Sequence, residues 1–277
     1  MNNIISFNRE TLNSVENWIK DEDYKSPPSL FNYGLPIRVY HLINLNVSNE
    51  LTECDIICFI INNFIKDKRQ INYLEIGCSV GKTFYQISKY VSENTNNFSL
   101  NCLEIENINP VLNDLLTVLM QNSQFNKFEI NANVDSDKSC GFVKDKNNIL
   151  NWKNDNRSIT YYESNEFDKD IWKNMNTKYN LIFSDAYHDP QALIDEYLNI
   201  KNNNLIDFNK FFYCFDDLDS DFDNGKMWKS VKYIFNDLKL ITGQTLFIKH
   251  FIVNGWLGNN EGKHNFGVIS NFDFSLS

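Results

Sequence analysis

The sequence predicts an α/β fold: a doubly wound, mostly parallel seven-stranded sheet with an antiparallel C-terminal strand and an N-terminal extension. Three observations lead there. The stretch Tyr73-Leu74-Glu75-Ile76-Gly77-Cys78-Ser79-Val80-Gly81-Lys82-Thr83 runs from apolar residues through an acid into a glycine turn, and Phe84 to Val91 then takes helical spacing. That order reads as strand, tight turn and helix. Apolar runs ending in acids recur at residues 99–106, 179–185 and 211–217, as expected of parallel strands buried on both faces. Helical patterns separate the runs, and the chain closes on two β-rich segments.

Composition narrows the function classes. With 277 residues, 42% of them hydrophobic, the chain can bury one large core. A net charge of −10 argues against a broad nucleic-acid or anionic-membrane surface, which needs clustered Lys and Arg. The six cysteines (Cys54, Cys58, Cys78, Cys102, Cys140, Cys214) sit mostly in apolar runs, and no Cys-x-x-Cys pair occurs. A zinc site is therefore not expected. There is no basic-then-apolar leader and no run long enough to span a bilayer, so the reading is a cytoplasmic protein with reduced thiols and no membrane partner.

Residues 1–50 are polar and irregular, with a short helix expected at 11–20 and a break at Pro27-Pro28. Residues 33–45 suit either a packed extension or a lid. From 51 to 65, Cys54, Ile57, Cys58, Ile61 and Phe64 share one helical face. Strand, helix and insertion follow at 99–106, 110–119 and 121–157. The insertion is rich in Asn, Lys and Asp and too long for an ordinary connection; its alternating patch at 128–134 suggests a small hairpin. A third strand is expected at 159–163 and helices at 168–175, 191–199 and 228–238. The last strands are read at 245–253 and 266–271, joined by a Trp256-bearing connection that borders a substrate pocket. The acids of residues 217–223 do not make a calcium loop, because Gly225 is one place late and Ser230 stands where a bidentate Glu is required. They read as a solvated loop.

Glycine is needed in the turn after the first strand, where backbone must approach a ligand closely. The Glu-x-Gly-x-x-x-Gly spacing of Glu75, Gly77 and Gly81 resembles motif I of class I S-adenosylmethionine (SAM)-dependent methyltransferases, a Rossmann-like family. Ser79 stands where most members carry another glycine. The resemblance spans about residues 51–277 and implies that Glu75, Gly77, Ser79 and Gly81 form the cofactor turn. It also implies that Glu104, about twenty residues past Gly81, takes both ribose hydroxyls, in preference to Glu106. Ser164 and Asn165, after the third strand, would border the adenine, and Asp185 would close the pocket. A rival remains: Gly77 to Thr83 is one residue short of the phosphate loop Gly-x-x-x-x-Gly-Lys-[Ser/Thr] of an NTPase.

Asp185 and His188 follow the fourth strand, and Asp216-Asp217 ends the fifth. Carboxylates gathered at one sheet edge repel unless something positive lies between them, which points to a hard divalent cation such as Mg²⁺. Asp-x-x-His followed by Asp-Asp is similar to metal-dependent small-molecule O-methyltransferases of the catechol and macrolide-sugar types. The resemblance implies Asp185, Asp216 and Asp217 as metal ligands, His188 as general base, and a small hydroxylated molecule as acceptor. A methyltransferase-like binding module without turnover is the other alternative. The domain boundaries that follow are 1–50 for the extension and 51–277 for the methyltransferase-like domain, with nucleic acid not expected as a partner.

Overall fold

The computed structural model describes residues 51–79, 81–105, 108, 110–122, 129–130, 148–222, 224–254 and 263–275. The expectations for residues 11–20 and 33–45, for Glu106 and for Trp256 fall outside these. Six helices and nine strands are described: α1 (Glu53–Lys66), β1 (Ile71–Ile76), α2 (Lys82–Asn94), β2 (Phe98–Glu104), α3 (Pro110–Asn122), β3 (Glu129–Ile130), β4 (Asn148–Asn154), β5 (Arg157–Glu163), α4 (Lys169–Asn174), β6 (Leu181–Ser184), α5 (Pro190–Asn202), β7 (Phe212–Leu218), α6 (Lys226–Thr242), β8 (Phe247–Asn254) and β9 (Lys263–Ser270).

One sheet holds all the strands, in the order β3-β4-β5-β2-β1-β6-β7-β9-β8. Strands β5, β2, β1, β6 and β7 run parallel, and β9 enters antiparallel between β7 and β8. From β5 to β8 this is the expected seven-stranded order. The insertion, where a small hairpin is expected, adds β3 and β4 beyond β5 and extends the sheet to nine strands. The inserted strand β4 carries its own period of two: Leu150 and Trp152 are buried while Ile149 and Lys153 are exposed. The Trp152 indole N–H donates to Thr117 Oγ1 at 3.1 Å, which ties the hairpin to α3.

The sheet separates two cores. On one face α1, α2 and α3 pack with Phe64, Phe84, Leu112 and Trp152. On the other α4, α5 and α6 pack with Trp172, Tyr197, Trp228 and Ile234. The predicted apolar face of α1 is buried throughout, and its N-terminus closes in a capping box between Thr52 and Asp55. Helices α5 and α6 are joined by Asp237, which accepts from Tyr197 Oη at 2.5 Å and pairs with Lys201 at 2.6 Å. Among the described residues no helix is long and apolar enough to cross a membrane, and Cys54, Cys58, Cys78, Cys102 and Cys214 are buried free thiols.

Candidate active site at the C-terminal edge of the sheet

Every loop of the site leaves the C-terminal end of a parallel strand, where open α/β sheets bind ligands. The loops are knitted there by backbone bonds: Gly77 N–H donates to Leu103 O, Asp185 N–H to Ile76 O, and Ser164 N–H to Glu104 O, each at 2.8 Å. Gly77 has a φ of +85°, and a Cβ on it would stand 2.3 Å from the Asp185 carbonyl oxygen. The glycine is thus required by the packing of one loop on the next, as well as by its left-handed backbone.

Ser79 also holds a positive φ, +50°, which is uncommon for a residue other than glycine. Its N–H donates to Glu104 Oε2 at 2.6 Å, while Glu104 Oε1 accepts from Ile105 N–H at 2.8 Å. The turn closes tightly, with Gly81 N–H donating to Cys78 O at 2.8 Å. Beneath it Glu75 is buried and accepts from Tyr73 Oη at 2.6 Å; burial pushes its carboxyl up to about 8.

A cavity of about 460 Å³ opens over this turn. Gly77, Ser79, Glu104, Ser164, Asn165 and Asp185 line it; Glu75 and Gly81, the other two predicted cofactor residues, do not. The wall has members that the sequence reading did not single out: Glu166, Phe167 and Tyr187. Burial pushes Glu166 up to about 7. Phe167 and Tyr187 meet edge to face at 6.5 Å between ring centroids, and both are exposed at the cavity mouth. An acid directly after Ser164-Asn165 was the available signal for Glu166.

Asp185 stands between this cavity and a chain of acids and imidazoles. His188 Nε2 lies 3.4 Å from Asp185 Oδ1, and its Nδ1 lies 3.2 Å from Asp217 Oδ2. His264 Nδ1 contacts Asp217 Oδ1 and lies 3.8 Å from Asp216 Oδ2. Burial, then the neighbouring Asp216, pushes the Asp185 carboxyl up. The two imidazoles hold Asp217 well below the usual carboxylate range. Bonds to Asp185 and Asp217 raise His188 to about 10, and bonds to Asp216 and Asp217 raise His264 to about 11. An isolated imidazole titrates near neutrality, and His188 departs from that. In this arrangement it is a cation at neutral pH, because it sits between two carboxylates.

The aspartates converge because β7 is irregular. Phe215 pairs with Gly267 and Leu218 with Asn265, so three steps of β7 oppose two of β9. This bulge falls on Asp216 and Asp217, and Asp217 takes a φ of +47°. It keeps Phe215 and Leu218 in the same core while turning both carboxylates toward one spot. There Asp216, Asp217 and His264 offer donor atoms that all lie within 4.8 Å of one another. Asp216 Oδ1 is buried without a hydrogen-bond partner. Asp185 reaches this trio through His188. His264 was missed in the sequence because it opens an antiparallel strand, where no strand-end motif marks it. The acids beyond Asp217 are not all solvated: Asp219 accepts from the N–H groups of Lys226 and Met227, capping α6.

No family model matches the chain, and no curated protein does. Solved structures similar to it include the O-methyltransferase TomG from Streptomyces achromogenes, involved in tomaymycin synthesis and in complex with SAM (11% identity, 92% of this chain and 95% of that one, TM-score 0.42). They also include the CurJ carbon methyltransferase (10% identity, 87% of this chain and 59% of that one, TM-score 0.44). A third is the precorrin-6y C5,15-methyltransferase from Geobacter metallireducens (11% identity, 92% and 96%, TM-score 0.38).

Proposed function

We propose that residues 51–277 form a SAM-dependent methyltransferase domain that O-methylates a small hydroxylated molecule with the help of a divalent cation. The observation that carries the reading is the acid-walled cavity over the glycine turn, lined by Glu104, Glu166 and Asp185. A sulfonium cofactor bearing an ammonium group and a ribose suits such a wall, which offers the phosphates of a nucleotide no cationic side chain among its lining residues. The turn favours the same choice, since Ser79 N–H, an amide that a phosphate would need, is already given to Glu104. The volume is in the range of small-molecule sites.

Within that reading Glu104 binds the ribose hydroxyls, Ser164 and Asn165 border the adenine, and Gly77 and Ser79 lie against the cofactor chain. Asp216 and Asp217 are fit to hold a cation, because their oxygens converge with a third donor and one of them, Asp216 Oδ1, is an orphaned buried acceptor. Asp185 stands beside them. A bound cation lowers the pKa of an acceptor hydroxyl and supplies the positive charge now provided by the imidazoles. With that charge taken over by the cation, the neutral ring of His188, between Asp185 and Asp217, would be the group at hand to take the acceptor's proton. Asp185 and Asp217 orient that ring.

Calorimetric titration of the full chain with SAM, S-adenosylhomocysteine and ATP tests the reading. The expected result is binding of the first two and none of ATP. ATP binding without SAM binding would replace it with the nucleotide reading. SAM binding with no turnover on any hydroxylated acceptor would leave a binding module.

A further inference from the structure

We infer that His264 is a metal ligand, so that the cation site is an Asp216–Asp217–His264 set selective for a transition ion such as Mn²⁺ over Mg²⁺. The inference rests on the metal-assisted reading above and changes its donor set.

Three observations carry it. The donor atoms of these three side chains all lie within 4.8 Å of one another, close enough to share one ion. His264 comes to them by design of the sheet. It sits one residue before Asn265, the partner of Leu218 across the β7 bulge, near the start of a strand that runs antiparallel to β7 and so enters from the site's own edge. The side chains of Asp216 and His264 are only 11% and 14% exposed, and Asp216 Oδ1 lacks any partner. A surface ion pair needs neither that enclosure nor a spare buried oxygen.

His250, on β8, behaves differently from His264. His250 packs between Phe222 and Trp228 and its Nε2 meets Asn265 Oδ1 at 2.7 Å. It is satisfied within its own core and faces no carboxylate pair. His264 faces two. Imidazole is a softer donor than oxygen and suits Mn²⁺, Fe²⁺, Co²⁺ or Zn²⁺, whereas Mg²⁺ favours oxygen donors and retains water. A set with one imidazole and two carboxylates therefore shifts selectivity away from Mg²⁺.

The experiment loads the full chain with Mn²⁺ and reads electron spin echo modulation, with Mn²⁺ and Mg²⁺ affinities measured by calorimetry. The expected result is one Mn²⁺ per chain with the nitrogen modulation of a directly bound imidazole. That signal should persist in His188→Ala and vanish in His264→Asn. Mn²⁺ affinity should fall at least about ten-fold in His264→Asn, and Mg²⁺ affinity much less. Circular dichroism confirms that the variants are folded, and a wild-type spectrum without nitrogen modulation overturns the inference before any variant is made. Mn²⁺ binding that depends on Asp216 but shows no nitrogen modulation would overturn the inference and leave the metal-assisted reading standing. Absence of Mn²⁺ and Mg²⁺ binding in the wild type would remove both, while SAM titration would judge the cofactor separately.

Discussion

Ser79 and Glu104 are joined across the sheet edge: the Ser79 N–H points into the Glu104 carboxylate at 2.6 Å, so the glycine turn and the second strand end are held by one hydrogen bond. The bond fixes the turn in its left-handed form before any ligand arrives, which is preorganisation of the pocket. A ribose would share the same carboxylate.

Glu104→Ala should weaken binding of SAM and S-adenosylhomocysteine by about 1.5–3 kcal/mol, the worth of hydrogen bonds to a charged group. Titration calorimetry measures it. An unchanged affinity would place the ribose elsewhere.

Gly77→Ala should cost about 2–4 kcal/mol of stability, from a left-handed backbone and from overpacking against the Asp185 carbonyl. Chemical denaturation is the measurement. Because the added carbon meets backbone rather than a movable side chain, a neutral result would mean that the two loops are not packed as described.

His188→Ala should lower kcat by about 10²–10⁴-fold while leaving SAM affinity nearly unchanged, as loss of a general base does. A panel of catechols, sugars and other hydroxylated metabolites must first supply an acceptor. Wild-type turnover by the variant would return His188 to a structural role between its two aspartates.

Glu196 gives a pH dependence whose largest cause is its own burial. It is buried on α5, accepting from Ser184 Oγ at 2.9 Å and from Tyr213 Oη at 2.6 Å, and burial raises its carboxyl to about 8. The folded state therefore holds this proton more tightly than the unfolded chain, where the pKa is about 4.3. Its stabilising contribution is complete below the unfolded value and is lost as the pH climbs toward the folded one. Glu196→Gln has no such proton; one hydroxyl can still donate to its amide oxygen while the other turns to accept from its amide N–H. Relative to the variant, the wild type should lose roughly a few kcal/mol of stability between about pH 4 and pH 8. A difference that stays flat across that interval would mean that Glu196 is not buried as described.

The strand–turn–helix at Gly77 and the acid-tipped apolar runs were legible because a buried parallel strand leaves a continuous apolar signature and its end is where chemistry sits. Residues 148–154 were less so. Asn148, Asn151 and Asn154 dilute the run, yet Leu150 and Trp152 carry the core, so tertiary packing overrode a polar composition. The same limit applies to His188, whose residue type was readable but whose two flanking carboxylates depend on a fold. His264 shows it most clearly: nothing adjacent in sequence marks it, since its partners lie on β7, and only the reversed direction of β9 brings it to them.

The bulge in β7 also bears on how this sheet could be edited. Phe215 and Leu218 face the same core although three residues apart, a spacing that an unbroken strand would send to opposite faces. Deleting Asp216 or Asp217 would bring the two apolar residues to a spacing of two and restore one-to-one pairing with β9. The shortened strand would be the more regular one, with its ladder healed and its left-handed residue gone. Ordinary strand geometry thus works against the aspartate pair, and only a use for both carboxylates gives a reason to keep the extra residue.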